Sequence, residues 1–295
     1  MKAEIILITK ARHTVELEVW LRWYINILGF DKVILYDNES PIDVKKICSK
    51  FNNVEYNFLN GFVNQSKLYD MRLKLEKFDD DINDKWIAFL DDDEFLYIGE
   101  KYHHNIKELI QAIKNKYNCK KVCFQIFNFY SKEFFEKRNG NIPLINTHTY
   151  YSEALPRSFT CKLGILRNTI VKCAVDAKYD WKFIKNNGSP CFRNPVIDEN
   201  IPELAFSERG ESIQNAFLQS GKINTDCFVA HYQFRSAEEW NYKCRLGRIK
   251  TKSNYLNKPD IFDLYRTLYS YIDTFKRCTL IKDTYYNYYH KLQNK

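Results

Sequence analysis

The chain is poor in the features that mark disordered or membrane-spanning proteins. Only 9 of its 295 residues are glycine and 7 are proline, while aromatic residues make up 16%. This composition excludes a low-complexity or disordered chain. No apolar run approaches the roughly 20 residues that a membrane-spanning helix needs, and residues 1–9 lack the apolar core of a signal peptide. We therefore expect a cytoplasmic protein.

The cysteines show no pattern of disulfides or zinc ligands. There are nine, an odd number, and Cys119 and Cys123 have no matching Cys or His pair near them. Most stand among apolar residues, so we predict buried free thiols in a reducing compartment and no zinc site.

Charge is biased but not concentrated. Lys and Arg number 45 against 37 Asp and Glu, a net charge of +8, which favours anionic partners. The basic residues are spread along the chain without a Lys/Arg block. We therefore predict no nucleic-acid partner.

Short apolar runs alternate with helical spacings through residue 129, which predicts an α/β fold with a mostly parallel central sheet flanked by helices. We predict a catalytic domain over residues 1–235, with a nucleotide-sugar half at about 1–130 and an acceptor half at about 131–235. Residues 236–295 are predicted to form a helical C-terminal extension.

The most informative stretch is a run of four acids enclosed by apolar residues. Asp91, Asp92, Asp93 and Glu94 follow the apolar run 86–90 and precede Phe95 and Leu96. Carboxylates near a core cost several kcal/mol each unless a cation compensates them. We predict that Asp91 and Asp93 are ligands of Mn²⁺ or Mg²⁺ and that Asp91 and Asp92 face a diphosphate. The alternative is an acidic turn that caps the next helix.

Polar residues also end the two earlier predicted strands. Thr9 and Lys10 end the first, and Asp37 and Asn38 end the second. Ligands bind at the carboxyl ends of strands in such sheets, so we predict that these four residues contact the nucleotide. An Asx turn at Asp37 is an equally good interpretation.

A third segment follows a short strand near residues 228–232. His231 is a candidate third metal ligand, and Arg235 and Lys243 are candidate diphosphate contacts. Ser236 and Glu239 have the spacing of a capping box. A structural histidine and a solvated basic helix face are the alternatives.

Taken together, these segments resemble the family 2-like glycosyltransferases of GT-A fold, and also the family 92 glycosyltransferases. The resemblance is carried by three ordered motifs: Leu17-Glu18-Val19-Trp20 followed by Leu28-Gly29 and Tyr36-Asp37-Asn38-Glu39-Ser40; Trp86 to Phe95; and His231-Tyr232 to Trp240.

The resemblance implies a metal-dependent, inverting hexosyl transfer from a nucleotide diphosphate sugar, most often a UDP-sugar. The acceptor would be a hydroxyl of a glycan, a lipid-linked molecule or a protein. A carboxylate would deprotonate that hydroxyl, and among the acids of the irregular middle region we prefer Asp198, Glu199 and Glu208.

Two other functions stay open. One is a nucleotidyltransferase, although residues 9–16 contain no glycine for a phosphate loop; the other is a non-catalytic nucleotide- or glycan-binding scaffold. The Tyr-, Lys- and Arg-containing tail, residues 253–295, is also a candidate for peripheral contact with the cytoplasmic face of a membrane.

Overall fold

The computed structural model describes residues 3–12, 16–61, 63–77, 84–133, 142–151, 171–179, 181, 205–207, 226–233, 235–239, 242, 273 and 275–293. Within these ranges, strands and helices alternate along the first 130 residues, as the hydrophobic pattern predicts.

Eleven strands are described. They are β1 (Glu4–Ala11), β2 (Lys32–Asp37), β3 (Val54–Phe58), β4 (Lys85–Phe89), β5 (Glu94–Ile98), β6 (Lys121–Tyr130), β7 (Tyr150–Tyr151), β8 (Val171–Asp176), β9 (Ala205–Ser207), β10 (Cys227–His231) and β11 (Lys276–Arg277).

The central sheet has the order β3-β2-β1-β4-β8-β6. β1, β2, β3 and β4 are mutually parallel, whereas β8 runs antiparallel to both β4 and β6. β6 therefore runs in the same direction as β4, and five of these six strands point one way. The predicted α/β fold with a mostly parallel central sheet is confirmed.

Strand pairing continues beyond the central sheet. β10 pairs in parallel with β6 and antiparallel with β5, which places β5 beside the sheet although it follows β4 in sequence. β7 and β9 pair with β6, and β11 pairs with β7. This second set of pairings brings the segment after β4 close to the segment around His231.

The helices flank the sheet. They are α1 (Leu17–Arg22), which continues as a π-helical turn (Trp23–Ile27), α2 (Val44–Cys48), α3 (Gln65–Lys77), a 3₁₀ turn (Glu100–Tyr102), α4 (Ile106–Tyr117), α5 (Leu144–Thr147) and α6 (Leu280–Gln293). The pattern at residues 15–28 predicts one α-helix, but its last turn widens to π geometry, with the Leu28 N–H donating to the Trp23 carbonyl. Gly29 ends it at φ +74°, where a side chain would be strained.

Two buried apolar clusters cover the two faces of the sheet. The larger contains α1, α4 and the β5, β6 and β10 side chains, and the smaller packs α3 against β1 and β4. Of the cysteines in the described ranges, five are buried, one is half-buried and all are free thiols, as predicted. None of the helices in these ranges has the length and apolar character needed to cross a bilayer.

Candidate active site

The four acids form a tight turn at the carboxyl end of β4. β4 ends at Phe89, the Glu94 N–H donates to the Asp91 carbonyl at 3.1 Å, and Glu94 opens β5. Asp93 and Glu94 are only 5% and 1% exposed, whereas Asp91 and Asp92 are partly exposed. The last two of the four acids are therefore buried, and the turn leads into a strand rather than capping a helix.

Three aromatic residues of one helix face hold the strand that follows the acids. The Trp20 indole and the Tyr24 hydroxyl donate to the Glu94 carbonyl at 2.8 and 2.9 Å, and the Trp23 indole donates to the Leu96 carbonyl at 2.8 Å. Residues at i, i+3 and i+4 share a helix face, so this spacing aims all three at β5. Each such bond contributes about 0.5–1.5 kcal/mol net.

Asp91 and Glu94 share one partly buried cation, Lys172 of β8. The Lys172 ammonium lies 2.9 Å from Asp91 Oδ2 and 3.1 Å from Glu94 Oε2. Glu94 also accepts from the Asp91 N–H at 2.8 Å, and Gln65 of α3 donates to Asp91 Oδ1 at 2.9 Å. Burial raises the pKa of Glu94, and the nearby Lys172 charge opposes that rise.

Asp93 faces two basic side chains, one from the last residue of β10 and one from the segment that follows it. His231 Nε2 lies 3.4 Å from Asp93 Oδ1, and Arg235 Nη2 lies 3.8 Å from Asp93 Oδ2. The Tyr232 N–H donates to the Asp93 carbonyl at 2.8 Å, which ties this segment to the acidic turn. His231 and Arg235 therefore lie beside Asp93, although they follow it by 138 and 142 residues in the chain.

The site's chemistry suits a divalent cation that is only partly coordinated by protein. Four carboxylates, Asp91 to Glu94, stand against two cations, Lys172 and Arg235. Carboxylate oxygens are the ligands that Mg²⁺ and Mn²⁺ prefer, and Mg²⁺ is commonly held by one or two carboxylates plus substrate phosphates.

Two further atoms that could bind a metal ion are buried nearby. Glu94 Oε1 and His231 Nδ1 have no hydrogen-bond partner among the residues that the structure describes. In those same ranges, no three His, Cys, Asp or Glu side chains converge to hold a metal, because Asp91 and Asp93 engage separate cations. The residues therefore fit a metal that arrives with a phosphate ligand better than a preformed protein cage.

The tips of β1 and β2 lie beside the acidic turn. Strand register pairs Ile8 with Phe89 and Ala11 with Asp37, so all three strands end at one edge of the sheet. The Thr9 hydroxyl is buried and has no hydrogen-bond partner within the described ranges. Lys10 Nζ donates to the Val63 carbonyl at 3.1 Å.

Asp37 and Asn38 organise their own loop. The Ser40 N–H donates to Asp37 Oδ1 at 2.9 Å, and the Tyr56 hydroxyl donates to Asp37 Oδ2 at 3.1 Å. This is the local turn contact that the sequence also suggested. Asn38 Nδ2 donates to the Gly61 carbonyl at 2.8 Å, and its buried Oδ1 has no partner among the described residues. Nucleotide contacts by these residues stay predictions.

Several predicted residues lie outside the described ranges. They are the candidate bases Asp198, Glu199 and Glu208 and the candidate diphosphate contact Lys243. The capping contact predicted after β10 is present, since the Glu239 N–H donates to Ser236 Oγ at 3.2 Å.

Two residues of the site were missed in the sequence. Lys172 stands one residue past the run 165–171, from which a short strand is predicted, and Gln65 stands in the segment 64–78, which is predicted to be an amphipathic helix. The run Val-Lys-Cys-Ala-Val-Asp at 171–176 has the apolar and β-branched content of a strand. This run was the sequence feature from which a strand that contains Lys172 could have been predicted.

Comparisons with known proteins show no family and no sequence relative. No family model matches the chain, and no curated protein matches it. The resemblance to family 2-like and family 92 glycosyltransferases therefore rests on the three motifs alone.

Solved structures give distant likenesses. The chain is 12% identical to TarS 1–349 of S. aureus, with 89% of this chain and 70% of that chain covered and a TM-score of 0.41. The chain is 12% identical to glucosyl-3-phosphoglycerate synthase of Mycobacterium tuberculosis in complex with Mn²⁺, UDP and phosphoglyceric acid. That match covers 59% of this chain and 56% of that chain, with a TM-score of 0.32. The chain is 17% identical to 4-diphosphocytidyl-2C-methyl-D-erythritol synthase of Anaerococcus prevotii, with 60% of this chain and 71% of that chain covered and a TM-score of 0.31.

The match spans little more than half of the mycobacterial enzyme's chain. Since every one of these TM-scores is below 0.5, the activity is inferred from the site's own geometry.

Proposed function

We propose that this protein is a divalent-cation-dependent, inverting glycosyltransferase that uses a nucleotide diphosphate sugar, most often a UDP-sugar, as donor. The acceptor is a hydroxyl of a glycan, a lipid-linked molecule or a protein. The observation that carries the proposal is the buried acidic turn at the carboxyl end of β4, enclosed by Lys172, His231 and Arg235. In open α/β sheets this edge is where ligands bind.

The chain's own residues divide the work. Asp91 and Asp93, with His231, are the residues that would hold Mn²⁺ or Mg²⁺, which when bound offsets the negative charge of the leaving diphosphate. The guanidinium of Arg235, which is 6% exposed, favours an anionic ligand beside Asp93. Thr9 and Asn38 offer buried polar atoms at the strand tips for the nucleoside.

Transfer itself requires a base. One of Asp198, Glu199 and Glu208 accepts the proton of the acceptor hydroxyl, whose oxygen forms a bond to the anomeric carbon while the bond from that carbon to the diphosphate oxygen breaks. Attack from the face opposite the diphosphate inverts the anomeric configuration.

A nucleotide-binding panel tests the donor half of the proposal. UDP, GDP, CMP and dTDP, each with and without Mn²⁺, are added to the wild type and to Asp93→Asn, and thermal midpoints are measured. A nucleotide at about 100 times its Kd should stabilise the fold by roughly 2.7 kcal/mol. We expect a metal-dependent shift with one nucleoside diphosphate in the wild type and its loss in Asp93→Asn.

Asp84→Asn is the matched control, because Asp84 pairs with Lys114 at the opposite end of β4. It should keep the nucleotide response. A wild type that responds to none of the nucleotides contradicts the proposal, whereas equal responses in wild type and Asp93→Asn favour the scaffold function. NMR of the product's anomeric configuration tests inversion.

A further inference from the structure

Lys172 reaches the acidic turn because β8 runs against the direction of its neighbours. Ala174 is the register partner of Ala88, so Lys172 lies two residues further, beyond the carboxyl end of β4. An antiparallel strand thus brings its first residues to the edge of the sheet where the parallel strands end.

The ammonium of Lys172 is held as a partly buried counter-charge. Its side chain is 13% exposed and contacts both Asp91 and Glu94. The ammonium thus lies between two of the four carboxylates, within 3.1 Å of an oxygen of each.

We propose that Lys172 is an internal competitor of the divalent cation and sets the metal affinity of the acidic turn. While its ammonium bridges Asp91 and Glu94, it repels a metal ion at the turn by its positive charge. It also occupies Asp91 Oδ2, which is then less available as a metal ligand. The turn then binds metal weakly alone and firmly only when a diphosphate supplies further oxygens. This last step rests on the proposed function; the competition itself does not.

Mn²⁺ binding to the full-length protein without nucleotide tests the competition. Free Mn²⁺ is quantified by electron paramagnetic resonance in titrations of the wild type, Lys172→Met and Lys172→Arg. We expect Lys172→Met to tighten Mn²⁺ binding at least about tenfold, since a unit charge a few ångströms from a divalent ion is removed. Lys172→Arg, which keeps the charge, should stay near the wild type.

Lys178→Met is the matched control. Lys178 pairs with Asp176 at the other end of β8 and its side chain is 62% exposed, so the same substitution there should leave Mn²⁺ affinity unchanged. A folded Lys172→Met protein with unchanged or weaker Mn²⁺ binding overturns the proposal. So does equal tightening in Lys178→Met, because the effect would then come from net charge.

Loss of Lys172 leaves Glu94 buried without its cation, and the single variant can fail to fold. In that case Lys172→Met is combined with Glu94→Gln and compared with Glu94→Gln alone. Tighter Mn²⁺ binding by the double variant supports the competition, and equal or weaker binding overturns it. Because no nucleotide is present, failure here is separate from failure of the nucleotide panel.

Discussion

Removing one buried hydroxyl tests whether the aromatic helix face holds the acidic turn in place. The Tyr24 hydroxyl donates to the Glu94 carbonyl at 2.9 Å and accepts from the Leu96 N–H at 2.9 Å, and Tyr24 is fully buried. Tyr24→Phe deletes both bonds while it preserves the ring that packs on Trp20. The perturbation therefore isolates the hydrogen bonds from the packing.

The expected loss of stability follows from what each partner keeps. The Glu94 carbonyl still accepts from the Trp20 indole. Losing its hydrogen bond from Tyr24 should therefore cost only the net value of one bond, about 1 kcal/mol. The Leu96 N–H loses its partner inside the core, which costs about 1–3 kcal/mol. We expect Tyr24→Phe to lower the free energy of unfolding by about 2–4 kcal/mol.

Urea denaturation followed by circular dichroism measures this difference. Tyr286→Phe is the control, since Tyr286 is 40% exposed and its hydroxyl accepts from Asn146 Nδ2 at 2.6 Å; it should change stability by less than about 0.5 kcal/mol. A Tyr24→Phe protein within 0.5 kcal/mol of the wild type would refute the reasoning. The same variant should weaken the metal-dependent nucleotide response, because β5 begins at the end of the acidic turn.

Two further predictions concern stability away from the site. Burial disfavours the charged form of Glu55, but hydrogen bonds from Arg72 and Lys32 outweigh it and lower its pKa to about 2; Glu55→Gln should cost about 1–2 kcal/mol at pH 7 after discounting for partial exposure. Because the pKa of Glu55 is lower in the folded protein, its ionised form stabilises the fold fully above about pH 4.5, the ordinary pKa, and this stabilisation is lost as the pH falls towards 2. The difference in unfolding free energy between wild type and Glu55→Gln, measured in urea, should therefore shrink over that pH range. Gly29→Ala should lower stability by about 1–3 kcal/mol, because φ is +74° and the new Cβ would lie 2.9 Å from Asn105 Nδ2; an unchanged urea midpoint would contradict this.

Sequence pattern predicted the strands best where apolar runs are continuous. The apolar runs 4–9, 32–36, 54–58, 86–90, 121–129 and 228–232 predict six strands. Of the observed strands, β3 has the bounds of its run, and β1, β2, β4, β6 and β10 differ from theirs by one or two residues at their ends. Buried parallel strands are apolar on both faces, so the run itself marks them. β5 was not predicted as a strand because its first residue is the last of the four acids, and its pairing with β10 joins segments more than 120 residues apart.

The sequence by itself indicated that a run of acids at the end of an apolar strand would lie close to the core and would need a compensating cation, because burial of unpaired carboxylates is too costly. It also identified His231 as a candidate metal ligand and Arg235 as a candidate diphosphate contact. Only the tertiary structure decided which basic side chain each acid contacts. Asp93 lies beside His231 and Arg235, whereas Asp91 and Glu94 contact Lys172. The physical reason is that the direction of β8 and the pairing of β10 with β5 place these cations, and strand direction and long-range pairing leave no local signal in the order of residues.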